Sequence, residues 1–154
     1  MTGVAGVSVT AEDPQTPEAA LLLDELSDQL RLITGSSGQA SFDVNDVRGA
    51  RARFVVARDR NGQPVGCGAL RPLEGDVAEL KRMYSRRTVP GIGAAVLAFL
   101  ESEARQLGYR ALRLETRAVN ARAVAFYQRR GYGRIANFGK YVGRSEAVCF
   151  EKSW

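Results

Sequence analysis

The sequence predicts an α/β (α+β) domain built on a mixed sheet, antiparallel through its middle and joined by parallel crossovers in its second half. Three observations carry this. The chain has 154 residues, 45% hydrophobic and 25% charged, the size and balance of one compact domain covering residues 1–154. Asn61-Gly62 lies between two runs rich in β-forming residues, and its tolerance of positive φ marks an antiparallel hairpin. In the second half, helical patterns follow strand-like runs, which is how parallel neighbours are connected.

Taken in order, Val4, Val7 and Val9 suit a first strand before the chain turns polar at Asp13, Pro14 and Pro17. Leu22, Leu26, Leu30 and Ile33 recur at helical spacing, and Gly35 with Ser36, Ser37 and Gly38 stops that helix. Residues 53–59 and 64–71 flank Asn61-Gly62 as the two arms of the hairpin. After the turn at Gly75-Asp76, residues 77–85 read as a strand with Val77, Leu80 and Met83 apolar among charged neighbours. From Gly91 to Leu107 one stripe holds Ile92, Val96, Leu100, Ala104 and Leu107, the mark of an amphipathic helix that Gly108 ends. Residues 111–116 alternate as a strand, Asn120 caps a helix reaching Arg130, and Gly131 closes it. Two short strands, 134–141 and 146–152, complete the chain.

Composition narrows the chemistry. No histidine occurs, which removes histidine bases, Ser-His and Cys-His nucleophile pairs and nearly all zinc-site patterns, so no metal is expected. Cys67 and Cys149 stand far apart without a CxxC pair, and no basic region precedes an apolar run. A cytoplasmic protein with reduced thiols and no membrane span is the expectation. The excess of 22 basic over 17 acidic residues favours a polyanionic ligand without choosing among nucleotide, CoA and nucleic acid. Scattered arginine alone is also ordinary compositional drift. No clustered basic segment or stacking motif accompanies it, and nucleic acid is not expected as a partner.

Two segments carry chemistry. Val89-Pro90-Gly91-Ile92-Gly93-Ala94-Ala95 lies between a strand and an amphipathic helix. Glycine lets backbone approach a ligand there, and first-turn amides point outward with the positive end of the helix dipole behind them, as suits a pyrophosphate. A dinucleotide fingerprint does not fit, because Val96 stands where the third glycine is needed. The second segment runs from Asn120 through Ala123, Phe126 and Tyr127 to Gly131-Tyr132. Asn120 ends a strand and caps a helix, Ala123 permits close approach, and Tyr127 follows about two turns into that helix, so Asn120 and Tyr127 can line one groove.

Together these segments resemble the GCN5-related N-acetyltransferase (GNAT) family. Its phosphate-binding motif, Q/R-x-x-G-x-G/A, opens a helix, and its later motif, N-x-x-A-x-x-F-Y-x-x-x-G-F/Y, is matched at every specified position by residues 120–132. The resemblance is strong from about residue 53 to 152 and loose before that. It implies a mostly antiparallel sheet of about seven strands with helices on both faces and a splayed parallel pair. It also implies acetyl-CoA as co-substrate, with the pyrophosphate at Gly91, Ile92, Gly93, Ala94 and Ala95, and the pantetheine arm along Met83, Tyr84 and Ser85. Asn120 and Ala123 would line the cofactor groove with them, and Tyr127 would lie near the thioester sulfur. The sequence departs from the family at Thr88, where glutamine or arginine is usual, and the segment from Tyr84 to Gly91 is slightly short; Arg86 and Arg87 are the charges at hand to replace it.

The implied reaction is direct acetyl transfer to the amine of a small acceptor. An alkyl ammonium with a pKa of about 10 is neutral in about one molecule per thousand at pH 7, so a base is useful. Glu79 is the candidate, since strand alternation puts it on the face of Lys81 and Met83; Glu115 is the weaker alternative, and either carboxylate could equally be a structural ion-pair partner. A backbone amide near Met83 or Tyr84 would meet the oxyanion. Tyr127 would protonate the leaving thiolate. The acceptor pocket is expected from residues 17–50, the hairpin and the last strands, which carry Arg31, Asp43, Asp46, Tyr141 and Arg144. The rival reading is a non-catalytic acyl-CoA-binding regulatory module, motivated by the irregular Thr88–Pro90 stretch, and a homodimer is compatible with either.

Overall fold

The computed structural model describes residues 6–39 and 42–154, so Val4 lies outside the described residues. Seven strands form one sheet: β1 (Ser8–Ala11), β2 (Arg53–Arg58), β3 (Pro64–Glu74), β4 (Val77–Ser85), β5 (Ala111–Arg117), β6 (Gly133–Ile135) and β7 (Ala147–Ser153). Their spatial order is β1-β2-β3-β4-β5-β7-β6. Every neighbouring pair is antiparallel except β4 and β5. A crossover helix requires that exception: α2 (Ile92–Gln106) leaves the end of β4 and returns the chain to the start of β5.

Helices cover both faces. On one, α1 (Pro17–Thr34) lays Ala19 and Leu22 on Phe54, Val56, Cys67 and Ala69. On the other, α2 and α3 (Ala121–Arg129) share a larger core with Val55, Leu70, Ala78, Leu80, Leu112 and Phe150. Strand alternation divides the two cores, as in Phe54 and Val56 against Val55 and Ala57. Local chemistry fixes the ends of α1: the Thr16 hydroxyl accepts from the Ala19 amide at 3.2 Å, Pro17 occupies the first turn, and Gly35 closes it at φ 81°.

Two details differ from the sequence reading. The first hairpin arm, expected to reach Asp59, ends at Arg58 and Asp59 enters the turn: its carboxylate accepts from the Asn61 and Gln63 amides at 2.9 and 3.0 Å, with Gly62 at φ 78°. The strand expected over 134–141 shortens to β6, and the chain enters a 3-10 turn at Gly139–Tyr141. There Tyr141 packs with Ala147 and Cys149 as a small third core, so burial of one tyrosine prevails over strand propensity.

The strands that matter most are β4 and β5. Their parallel pairing covers only Val77, Ala78 and Glu79 against Ala111, Leu112 and Arg113. Beyond Glu79 both strands continue, β4 to Ser85 and β5 to Arg117, without pairing to each other. A cleft therefore opens between them.

Candidate active site

A bulge in β4 shapes one wall of the cleft. Lys81 lies opposite Ala69 and Tyr84 opposite Cys67, leaving Arg82 and Met83 to face one residue, Gly68. Arg82 is held at φ 54°, the only such non-glycine residue among those described. The bulge corrects the expectation that Glu79, Lys81 and Met83 share a face. Glu79 and Lys81 stand on the α1 side, Tyr84 joins them after the shift, and Met83 turns into the α2 core, where Gly68 leaves room for its sulfur. A Cβ at Gly68 would come 2.5 Å from Met83 Sδ and 2.8 Å from Val96 Cγ1.

Two cavities meet in the cleft. The larger, about 430 Å³, runs from Ser85, Arg87 and Gly93 to Asn120, Arg122 and Phe126. The smaller, about 290 Å³, lies among Lys81, Arg82, Glu115, Arg117, Tyr141 and Arg144. Leu26, Leu30, Met83, Asn120, Ala123 and Tyr127 line both. Volumes of this size suit a small-molecule site.

At the larger cavity the α2 entry is built as a cradle. Gly91 takes φ 88° and caps the helix without a side chain, while Ile92 and Ala95 bury their side chains in the core. A Cβ at Gly93 would lie 3.3 Å from the Phe126 ring of α3, so the two helices approach across a bare backbone. The short Tyr84–Gly91 connection does not disturb this entry. The candidate arginines divide: Arg86 is committed to Glu25 through bonds of 2.8 and 2.5 Å, whereas Arg87 is exposed and faces the cavity. Arg122, in the first turn of α3, adds a second exposed guanidinium that sequence reasoning passed over; its place just after the Asn120 cap was the available signal.

Asn120 caps α3 by accepting from the Ala123 amide at 3.3 Å. Two turns on, Tyr127 is buried, packs edge-on against Phe126 and Tyr132, and lines both cavities. Burial pushes the Tyr127 hydroxyl well above the ordinary phenol range, so it keeps its proton.

The carboxylates behave differently from one another. Glu79 is almost fully buried and lines neither cavity; Arg71 donates to one oxygen at 2.8 Å and the Tyr141 hydroxyl to the other at 3.0 Å. Lys81 Nζ donates to Tyr141 at 3.1 Å and lies 3.7 Å from Glu79. Burial lowers the Lys81 pKa, and Glu79 partly offsets it. Glu115 does line the smaller cavity. Its Oε2 is buried without a hydrogen bond, 3.8 Å from Arg117, and burial raises its pKa against the opposing pull of Arg117 and Lys81. Among the acceptor residues expected from sequence, Tyr141 and Arg144 line this cavity. Arg31 instead pairs with Asp28, Asp43 caps the 3-10 turn at Val44–Val47, and Asp46 lies 3.8 Å from Arg71.

Comparison with known proteins agrees with this geometry. Residues 20–132 match the acetyltransferase (GNAT) family. An IAA acetyltransferase of Azospirillum brasilense is 35% identical over 149 residues, 95% of this chain and 97% of that protein. A Klebsiella pneumoniae protein assigned as an acyl-CoA N-acyltransferase superposes with a TM-score of 0.83 at 29% identity, covering 97% of this chain and 99% of that one. A GNAT acetyltransferase of Elizabethkingia anophelis, solved with acetyl-CoA bound, shares the fold with a TM-score of 0.73 at 15% identity, over 98% and 100% of the two chains. The chain belongs to the GNAT family of acetyltransferases and is an acyltransferase.

Proposed function

We propose that this GNAT enzyme transfers an acetyl group from acetyl-CoA to the amine of a small acceptor, the donor occupying the larger cavity and the acceptor the smaller. The observation that carries this is the meeting of the two cavities at Tyr127, Ala123 and Met83, where β4 and β5 part. The residues suit the donor. First-turn amides of α2 bordered by Gly93 form a pyrophosphate cradle, Arg87 and Arg122 supply positive charge, and the unpaired Met83–Ser85 edge of β4 offers backbone groups to a pantetheine arm. α2 opens at Ile92 behind the Gly91 cap despite Thr88, which supports cofactor binding; a non-catalytic binding module is the alternative that turnover distinguishes.

Acetyl-CoA supplies the acyl carbonyl and a thiolate leaving group. Glu115 is the base on this reading: it faces the acceptor cavity, and a raised pKa brings a carboxyl closer to neutral pH. Glu79, sealed behind Tyr141, serves instead to hold the Tyr141 hydroxyl and the Lys81 charge in place. Glu115 takes one proton from the acceptor ammonium and passes it to solvent. As the C–N bond forms and the C–S bond breaks, the nitrogen gives up its second proton and the sulfur gains one. Tyr127 hydrogen-bonds the departing sulfur; a phenol is already a weaker acid than a thiol and burial raises its pKa further, so full transfer from Tyr127 is uphill and its donated hydrogen bond is the larger contribution. Thiol release on mixing enzyme, acetyl-CoA and an amine panel, with mass detection of the acetylated amine, tests the reaction. Acetyl-CoA binding with no acetylated product on any amine would contradict it.

A further inference from the structure

The smaller cavity has a charge pattern that the acetyl-transfer reading does not use. Lys81, Arg82, Arg117, Lys140 and Arg144 line it against one carboxylate, Glu115. Some of that charge is answered within the protein: Lys81 by Glu79 at 3.7 Å, and Arg117 by Glu146 at 3.4 Å and Glu115 at 3.8 Å. Arg82 is answered only by neutral groups. Its guanidinium donates to the Leu23 and Ser37 carbonyls at 3.3 and 3.0 Å and to Ser27 Oγ at 2.5 Å, and its Nε is buried with no partner. The residue is 9% exposed, and no acid lies within salt-bridge distance among the described residues. Arg144 is exposed and likewise makes no salt bridge among them.

A buried cation without a counter-charge costs free energy that a bound anion recovers. The unsatisfied Glu115 Oε2 asks for the opposite, a donor. Both deficits border one cavity of about 290 Å³, large enough for a small molecule carrying both groups. Leu26, Leu30, Leu80 and Leu114 supply its apolar wall.

Resting on the reading that this cavity holds the acceptor, we propose that the acceptor is an amino-acid-like zwitterion: its carboxylate is received by the cationic wall containing Arg82 and Arg144, and its amine is directed to Glu115. A polycationic amine is the class this wall disfavours, since each added positive charge meets like charge in a partly desolvated site.

The test compares matched acceptors at saturating acetyl-CoA: L-leucine, L-leucinamide and isopentylamine, with the corresponding phenylalanine set. The acid should exceed both its amide and its decarboxylated amine in kcat/KM by about tenfold or more, the scale of a charge-assisted hydrogen bond. Arg144→Gln should bring the acid-to-amide ratio toward one, and Arg82→Gln should do so if that variant retains the native thermal transition; otherwise Arg144→Gln decides. Calorimetric titration of the same acids and amides into enzyme loaded with CoA reads the preference without turnover. Amides or amines used as well as the acids, with no tighter binding of any acid, overturn the zwitterion and leave acetyl transfer standing. Tighter binding of an acid that weakens in Arg144→Gln, with no amine acetylated, supports the carboxylate site and sinks the acetyl-transfer reading instead.

Discussion

Tyr127 is the residue on which the two cavities converge, and its hydroxyl meets no protein partner among the described residues while its ring is fixed by Phe126 and Tyr132. A group so placed acts on whatever lies between the cavities. Tyr127→Phe should therefore lower kcat by about 10- to 100-fold while acetyl-CoA affinity by calorimetry changes little; unchanged turnover would remove the tyrosine from the chemistry. The two carboxylates separate in pH profiles. Because burial raises the Glu115 pKa, the acid limb of kcat/KM should lie above the ordinary carboxylate range of about 4–5 and vanish in Glu115→Gln with a large loss of rate. Glu79→Gln should keep that limb and lose thermal stability instead, having unpaired Arg71 and Tyr141. The linkage sign for Glu115 follows from the same shift. A carboxyl whose folded pKa is raised is most stabilising below its unfolded value and loses that contribution as pH rises through the folded one, so Glu115→Gln should gain stability relative to the parent from pH 4 toward neutrality. Helix spacing placed Tyr127 on the groove side with Asn120, while its proposed role came from the resemblance of residues 120–132 to the family motif. Sequence ranked Glu79 above Glu115, the reverse of the order proposed here, because which carboxylate is sealed depends on Tyr141, about 60 residues away in the chain and brought back by a 3-10 turn.

At the scale of elements, β4 and the α2 entry do the positioning. The bulge at Arg82 reverses strand alternation, and no sequence signal announced it, since arginine is an unusual occupant of a left-handed conformation. Its partner across the sheet is more telling: Gly68 leaves the space into which Met83, Val96 and Leu100 pack. Gly68→Ala should cost about 1–3 kcal/mol by denaturant titration, as over-packing of a rigid core does. At the other end of the cleft, Gly93→Val would place side-chain atoms between the α2 amides and Phe126. The dissociation constant for acetyl-CoA should then rise by about tenfold or more, with a smaller effect on kcat at saturation. The α2 boundaries followed from the apolar stripe and from Gly91 and Gly108, and the structure places the helix at Ile92–Gln106. The last strands were harder to read. Ile135, Phe138 and Tyr141 look strand-like in sequence, yet only Ile135 stays in the ladder, opposite Cys149, while Phe138 and Tyr141 leave it and pack over Cys149 as a compact cluster.

For the whole molecule, the order of elements was legible because each local signal agreed with the next. A glycine-marked hairpin, three helices and the turn residues between them leave one sensible path, and a single parallel pair falls where the crossover helix α2 demands it. What no local pattern conveys is that β4 and β5 stop pairing after Glu79 and Arg113. That parting of strands makes two cavities into one passage, and both the proposed donor site and the proposed acceptor site depend on it. The measurement that bears on it most directly is a crystal structure of the enzyme with acetyl-CoA. The pyrophosphate should lie on the amides that open α2, the pantetheine arm beside Met83–Ser85, and the thioester sulfur against the Tyr127 hydroxyl with its acyl end toward Glu115. Acetyl-CoA bound elsewhere, or lying along the cleft with its thioester away from Tyr127, would contradict this placement.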